Sequence, residues 1–342
     1  MVREDFPTAA SAGYTMPAEW MPHERCWMAW PCRRNFWGEH LCKTQQCFAN
    51  VANAIGEFEP VTMLCPPADL ENARKLCGEK IELLKIDLDD SWMRDIGPNF
   101  VMNNAGQLAA SIFHFNSWGK KHSPWGKDAA IGHRLAEYLG IPTFSSSIFM
   151  EGGGINVDGE GTVLATRQNV MNDNRNPGLG EEEATRHLCD ALGTEKVIWL
   201  PGDPEDTETD GHVDGIACFV APGTVLVEIC PATGTKRYDN MQANLDAVRG
   251  QHDASGRELT VVTIEEAHEA ERYGDIFASS YINFYIANDA VLIPAFGIDR
   301  DEQARDTIKT LFPDREIVSI EISDIALGGG GIHCITQQQP KC

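Results

Sequence analysis

The chain has 342 residues, of which 42% are hydrophobic and 8% aromatic, and this content of apolar side chains indicates a globular protein with a buried core. Its formal net charge of −23 makes nucleic acid an unexpected partner, because phosphates attract surfaces rich in lysine and arginine. The acidic, proline-containing first residues and the lack of a long apolar run predict neither a signal peptide nor a membrane segment, and hence a soluble, cytoplasmic protein.

The cysteine pattern indicates free thiols. The sequence has eleven cysteines, an odd number, at scattered positions. Such spacing does not resemble a secreted disulfide framework, so most of these thiols are expected to be reduced, buried and inert. Neither a CxxC pair nor an HExxH motif occurs, and we therefore predict no metal site.

Four predicted β-hairpins follow one another along the chain, roughly 55 to 65 residues apart, which is a spacing typical of repeat architectures. Each has two apolar runs around a turn signal such as Asp-Gly or Pro-Gly. Their sequences are "NFVMNNAGQLAASIF" (99–113), "INVDGEGTVLAT" (155–166), "IACFVAPGTVLVEI" (216–229) and "YINFYIANDAVLIPAF" (281–296).

A segment of helical period and a short apolar strand follow each hairpin, least cleanly after the first. Gly140, Gly193 and Gly250 close three of these predicted helices. A fifth unit combines "IHCITQQ" near the C-terminus with "CWMAWP", "QQCFANVANAIGEF" and "PVTMLC" near the N-terminus, so that both chain ends would close a ring. We predict one domain over residues 1–342; the alternative is an ordinary α/β sheet protein with unrelated hairpins.

Polar segments precede successive predicted hairpins, and in a closed ring they would meet near the axis. They are "DDSWMRDIGP", "MEGGG", "TETDGHVDG" and "GGGGIHC". Cys334 is the candidate nucleophile, and it needs a cation or a general base nearby because a free thiol is only slightly ionised at neutral pH. His212 can transfer protons, and Asp214, two residues later, can orient it or bind substrate.

Three carboxylates, those of Asp95, Glu151 and Asp214, would repel one another in a single pocket unless a cation joined them. A planar guanidinium fits, because its N–H donors pair bidentately with carboxylates. A magnesium or manganese ion is the alternative, although a thiol in the site makes these oxygen-preferring ions less suitable. Trp92 can pack against a methylene chain or a cation, or it can belong to the core.

These motifs, together with "MPAEWMPHERCWMAWP", "NRNP", "YINFYIAN" and "GGGGIHCITQQQP", resemble the agmatine deiminases of the guanidine-modifying or pentein superfamily along almost the whole chain. The resemblance implies a five-bladed α/β propeller with pseudo-five-fold symmetry. It implies Cys334 as nucleophile, His212 as general acid and base, and Asp95 and Asp214 as guanidinium clamps. Glu151 would assist substrate and histidine, and Trp92 would line the channel.

The implied reaction is hydrolysis of agmatine to N-carbamoylputrescine and ammonia without a cofactor, by a homodimer. Glu208 or Asp210 is the expected partner of the agmatine amine, and glycines such as Gly331 would let the flat cation reach Cys334. His333 is expected to face away from Cys334, because adjacent strand residues point to opposite faces. Asn156 and Gly215 depart from the family pattern beside the proposed site.

Two other functions stay open from the sequence. The related family of bacterial peptidyl-arginine deiminases makes peptidyl-arginine or free arginine an alternative substrate. A non-catalytic binding module with the same fold is the alternative from another class, although the presence of the cysteine, the histidine and both aspartates favours an enzyme.

Overall fold

The computed structural model describes residues 7–270 and 276–342, and within them the strands form five sheets. The strands are β1 Tyr14–Thr15, β2 His23–Ala29, β3 Val61–Cys65, β4 Ile81–Lys85, β5 Asn99–Asn103, β6 Leu108–His114, β7 Thr143–Phe149, β8 Ile155–Val157, β9 Thr162–Thr166, β10 Lys196–Leu200, β11 Ala217–Ala221, β12 Thr224–Ile229, β13 Thr260–Glu265, β14 Tyr285–Ile286, β15 Ala290–Ala295, β16 Glu316–Glu321 and β17 Thr336–Pro340.

Helices connect most of these strands. They are α1 Arg34–Trp37, α2 Leu41–Ile55, α3 Leu70–Leu76, α4 Met93–Ile96, α5 Ser117–Lys120, α6 Ile131–Leu139, α7 Arg167–Val170, α8 Glu181–Leu192, α9 Lys236–Val248, α10 Arg300–Leu311 and α11 Ser323–Ala326. No helix in the described part of the chain is both long and apolar enough to cross a membrane.

The predicted hairpin repeat is confirmed. In four sheets an antiparallel pair (β5–β6, β8–β9, β11–β12 and β14–β15) is followed by a third strand parallel to its second member (β7, β10, β13 and β16). The helices α6, α8, α9 and α10 lie between the second and third strands, as a parallel connection requires. The sheet that contains β5 gains one more strand, because β1 pairs with β5.

The two ends of the chain share the fifth sheet, as predicted. The C-terminal strand β17 pairs antiparallel with β2, and β2 pairs parallel with β3 after the connection through α2. The strand β4 extends this sheet in parallel with β3. The N-terminal and C-terminal segments therefore complete one structural unit, of the same β-β-α-β order as the other four.

Helix α8 shows why these segments are helical. Its buried residues Ala184, Leu188, Ala191 and Leu192 follow the helical period, and three glutamates occupy its first turn, where the helix dipole favours negative charge. Gly193 ends it with φ 65°, a left-handed conformation that glycine adopts without a steric penalty. The predicted glycines at 140 and 250 likewise have positive φ beyond the ends of α6 and α9.

The polar segments that are predicted to converge all lie just before the first strand of an antiparallel pair. Asp95 belongs to α4, which precedes β5, and Glu151 precedes a 3-10 turn before β8. The 3-10 turn that begins after His212 precedes β11, and Cys334 precedes β17. Repetition of one structural unit therefore delivers these side chains to equivalent positions in different sheets.

Candidate active site

Buried polar atoms from two segments, one with Asp95 and one with His212 and Asp214, surround the backbone of Gly153. A Cβ placed on this glycine would lie 2.6 Å from Nδ1 of His212 and 3.0 Å from both Oδ2 of Asp214 and Oδ1 of Asp95. Glycine leaves that space open, so the second glycine of "MEGGG" is what allows the histidine and the two aspartates to share one pocket. The structure thus brings together the three residues that the sequence placed in one site.

The Cys334 thiol lies at the same place. Its Sγ is 3.5 Å from Oδ2 of Asp214, and its backbone N–H donates to Oδ1 of Asn283 at 3.2 Å. Burial raises the pKa of this thiol well above its usual range, and the Asp214 and Asp95 carboxylates raise it further. Without a bound cation the group is therefore a neutral thiol.

Two neutral donors hold the Asp95 carboxylate. The indole N–H of Trp118 donates to Oδ2 at 2.9 Å, and the backbone N–H of Gly153 donates to Oδ1 at 3.0 Å. Burial raises the pKa of Asp95 above its usual range, against the lowering effect of His212, whose Nδ1 lies 3.9 Å from Oδ1. Asp95 therefore favours binding of an additional cation, which would stabilise its charged form.

Glu151 links the histidine to a buried arginine. Nε2 of His212 is 3.1 Å from Oε2 of Glu151, and Nε of Arg175 donates to both carboxylate oxygens at 3.0 and 2.9 Å. Although burial alone would raise it, Arg175 and His212 lower the pKa of Glu151 to about 2. Burial also opposes the charge of His212, but Asp95 and Glu151 raise its pKa to about 9, so the imidazole carries a proton at neutral pH.

The expectation that His333 faces away from the site is wrong. Residues 332–335 form a turn and β17 begins only at Thr336, so the alternation of a strand does not apply to His333 and Cys334. Nδ1 of His333 lies 2.9 Å from Oδ2 of Asp214, the oxygen that also faces the thiol. Despite its burial, the pKa of Asp214 is lowered by the hydrogen bond and charge of His333.

Two adjoining cavities open beside Cys334. The larger, about 420 Å³, is also lined by His212, Asp214 and Gly331. The smaller, about 20 Å³, is lined by Trp92, Asp95 and Trp118. Trp92 is buried and tilted against Trp37, with ring centroids 5.9 Å apart, so it belongs both to the packed core and to the cavity wall. Among the described residues, no cluster of three or more potential ligands suited to a metal ion occurs.

The two predicted partners of a substrate amine are placed differently. Glu208 lines both cavities, and its Oε2 lies 3.0 Å from Nε2 of His122. Asp210 lines neither cavity, because its carboxylate is held by Lys121 at 2.7 Å and Arg175 at 2.6 Å. The structure therefore does not bring Asp210 to the position that the sequence analysis gave it, since two cations already satisfy its charge.

The glycines before Cys334 are required by close packing. A Cβ at Gly328 would lie 2.2 Å from the Trp37 ring, and one at Gly330 would lie 2.4 Å from the Trp92 ring. At Gly331 it would lie 2.6 Å from Oδ1 of Asn283. These glycines therefore let two aromatic rings and an amide approach the backbone of the turn that carries Cys334, a role that the sequence alone did not indicate.

The residues that depart from the family pattern lie beside this site. Asn156 is buried, and its Oδ1 accepts a hydrogen bond from the backbone N–H of Phe219 at 2.7 Å. Gly215 lines the larger cavity, and a Cβ there would find no atom within 4 Å. Neither position holds one of the groups that surround Gly153.

Sequence reasoning missed four residues that orient the site, namely Glu19, Trp118, Arg175 and Asn283. Asn283 occupies in the fourth unit the place before the hairpin that Asp95, Glu151 and Cys334 occupy in others, so the repeat itself was a signal. Arg175 lies in the "NRNP" motif, which was recognised without a role. Trp118 and Glu19 gave no local signal, because only the fold brings them to Asp95 and His333.

A sequence model of the Porphyromonas-type peptidyl-arginine deiminase family matches residues 15–340. A relative from Legionella pneumophila is 43% identical over 332 residues, which cover 96% of this chain and 95% of the relative. A Pseudomonas aeruginosa protein named agmatine deiminase is 38% identical over 357 residues and 97% of each chain.

The solved structures agree with these relatives. The agmatine deiminase of Enterococcus faecalis superposes with a TM-score of 0.95 at 34% identity, over 99% of both chains. DDAH from Pseudomonas aeruginosa superposes with a TM-score of 0.53 at 13% identity, over 93% of this chain and 99% of that chain. This distant likeness concerns the α/β fold alone.

Proposed function

Since the chain belongs to the Porphyromonas-type peptidyl-arginine deiminase family, we propose that it is a hydrolase that converts agmatine and water into N-carbamoylputrescine and ammonia. The observation that carries this proposal is that the Cys334 thiol lines two adjoining cavities, one bordered by Asp214 and the other by Asp95. A planar guanidinium presents N–H donors to both carboxylates while its central carbon faces the sulfur.

Binding of the substrate activates the nucleophile in this mechanism. Asp95 and Asp214 hold the guanidinium nitrogens, and the positive charge of the substrate lowers the raised pKa of Cys334, so that the thiol proton leaves to solvent. The thiolate then bonds to the guanidinium carbon. The cation and the thiolate neutralise each other, which limits the cost of charge in a buried site.

His212 handles the remaining protons. In the first step the protonated imidazole donates a proton to one amino group of the tetrahedral adduct, and ammonia leaves as the C–N bond breaks. An amidino-thioether on Cys334 remains. The now neutral His212 takes a proton from water as the oxygen bonds to the same carbon, and cleavage of the C–S bond releases the ureido product and the cysteine. Glu151, held by Arg175, keeps the imidazole oriented throughout.

The cavity lining supports agmatine over free arginine. Among the described lining residues, Arg237 is the one lysine or arginine, and its guanidinium is paired with Asp203 and Glu266. It is therefore a poor partner for the carboxylate of arginine. Glu208, which lines both cavities, offers a carboxylate to the agmatine amine in place of its contact with His122. Trp92 covers the methylene chain, and the backbone at Gly331 borders the path of the guanidinium.

Finer features of the fold and assembly are part of the same proposal. The five sheets, each with an active-site segment before the first strand of its antiparallel pair, would be the blades of a five-bladed α/β propeller with pseudo-five-fold symmetry. A single catalytic domain over residues 1–342 is expected, of which 1–6 and 271–275 lie outside the described residues. A homodimer in the cytoplasm stays a prediction, which light scattering on the purified protein and cell fractionation test.

Ammonia release from agmatine, arginine and a blocked arginine peptide tests the function. We expect turnover of agmatine, loss of turnover in Cys334→Ala, and retained turnover in Cys42→Ala, since Cys42 is an exposed thiol outside both cavities. Turnover of the peptide with agmatine untouched would overturn the substrate assignment. Equal labelling of Cys334→Ser and the parent by a haloacetamidine, read by intact mass, would overturn the nucleophile and leave the binding module as the better interpretation.

A further inference from the structure

A buried chain of three side chains, Glu19, His333 and Asp214, runs behind the carboxylate that faces the nucleophile. Nδ1 of His333 is 2.9 Å from Oδ2 of Asp214, and its Nε2 is 2.9 and 3.2 Å from the two oxygens of Glu19. All three residues are at most 7% exposed. Both imidazole nitrogens are therefore engaged by carboxylates, so the ring has one orientation.

The charges of this chain are balanced within the protein. Arg94 is buried beside it, with NH1 3.7 Å from Oε1 of Glu19 and Nε donating to the His333 carbonyl at 3.4 Å. Although burial opposes it, His333 and Arg94 lower the pKa of Glu19 to about 2. Burial and Arg94 oppose the charge of His333, but Glu19 and Asp214 raise its pKa. Asp214 consequently carries its negative charge without a bound substrate, whereas Asp95 has only neutral donors and His212 nearby.

One oxygen of Asp214 lies between His333 and the Cys334 thiol. Oδ2 lies 2.9 Å from the imidazole of His333 and 3.5 Å from Sγ of Cys334, and it also borders the space beside Gly153. A shift of this oxygen would change both its hydrogen bonding to a bound guanidinium and the electric field at the sulfur. Because geometry errors of about 1 Å are costly in catalysis, the group that anchors Oδ2 affects the reaction without touching the substrate.

We propose that His333, itself oriented by Glu19, is a positioning residue that fixes Oδ2 of Asp214 beside the Cys334 thiol for recognition of the guanidinium cation. The proposal rests on the proposed function for the identity of the cation. It assigns to the N-terminal segment before β2, through Glu19, a part in the active site that is completed by the C-terminal turn before β17.

The test compares two variants that each keep one half of the imidazole contacts. In His333→Asn the side-chain amide nitrogen replaces Nδ1 and can still donate to Asp214, whereas in His333→Gln it replaces Nε2 and faces Glu19. Cys334 is labelled in each protein with 2-chloroacetamidine, a cation, and with 2-chloroacetamide, a neutral reagent of similar size with the same leaving group. The labelling rates are measured by intact mass. The ratio, defined as the rate with the cationic reagent divided by the rate with the neutral reagent, reports recognition of the cation separately from a general loss of thiol reactivity.

We expect His333→Gln to lower the ratio about 10-fold, as loss of a hydrogen bond to a charged group predicts, and His333→Asn to keep it within about 3-fold of the parent. An unchanged ratio in His333→Gln, or an equal fall in both variants, would overturn the proposal. A parent ratio near one would instead overturn the proposed function, because the site would then show no preference for the cation.

A second pair covers the outcome that neither His333 variant folds. Glu19→Gln keeps an acceptor oxygen for Nε2 of His333, and Glu19→Ala removes it. We expect the labelling ratio to fall about 10-fold in Glu19→Ala and to stay within about 3-fold of the parent in Glu19→Gln. A parental ratio in Glu19→Ala would show that Asp214 is held without this chain and would refute the positioning role.

Discussion

Removal of the hydrogen bond from Trp118 to Asp95 tests whether Asp95 holds the substrate. The indole N–H is 2.9 Å from Oδ2, and both residues are buried, at 6% and 8% exposure. Trp118 holds this position with φ 52°, in the left-handed region, inside a turn where Ser117 and Lys120 also have positive φ. A backbone held in such a conformation indicates that the placement of the ring serves the site.

The change Trp118→Phe removes the donor and keeps an aromatic ring. A hydrogen bond to a charged group contributes about 1.5–3 kcal/mol, which corresponds to about 10- to 150-fold in a rate or equilibrium constant. If Asp95 holds the guanidinium, kcat/KM for agmatine falls by about that factor. Loss of ring volume adds a destabilisation that has no bearing on the hydrogen bond, so a matched control is needed.

Trp30→Phe supplies that control. Trp30 is fully buried, and within the described residues its indole N–H has no hydrogen-bond partner. The two variants thus lose the same atoms from buried sites. We expect both to lower the melting temperature and Trp118→Phe alone to lower kcat/KM for ammonia release by 10-fold or more. Equal kcat/KM values in the two variants would refute the reasoning.

The other predictions concern space, charge and the backbone of the turn that carries Cys334. Gly153→Ala should lower kcat/KM more than about 100-fold, because its Cβ would meet His212 at 2.6 Å, whereas Gly126→Ala, with no atom within 4 Å, should match the parent in the same assay. The pKa of His212 rises from 6.5 to about 9 on folding, so its stabilising effect, of order 3 kcal/mol, is full below about pH 6.5 and is lost as the pH rises through about 9. The free energy of unfolding, measured with urea, should therefore fall more for the parent than for His212→Gln over this pH range. An equal fall in the two proteins would contradict a protonated His212 in the folded state. Asn283→Ala should lower kcat, because it removes the acceptor for the backbone N–H of Cys334, and its melting temperature is the control for general destabilisation. An unchanged kcat would show that other contacts hold the turn.

The hairpin repeat could be predicted because its signals are local. Alternating apolar residues, Asp-Gly or Pro-Gly turns and glycines at helix ends depend on neighbouring residues, and all four hairpins formed where they were expected. The repeat also located the site segments, since each precedes an antiparallel strand pair. The error at His333 came from starting the last strand at Ile332, four residues before β17 begins, which imposed strand alternation on what is a turn.

The amino-acid sequence by itself determined the order of the elements, the family and the types of reactive side chain. Only the tertiary structure decided which side chains meet: Trp118 with Asp95, Arg175 with Glu151, and Glu19 with His333. It also decided the protonation of the site, because burial and close opposite charges, rather than residue type, give His212 its proton and Cys334 its neutral thiol. The physical reason is that periodicity and turn chemistry act between near neighbours in the chain, whereas hydrogen bonds and electric fields act between near neighbours in space.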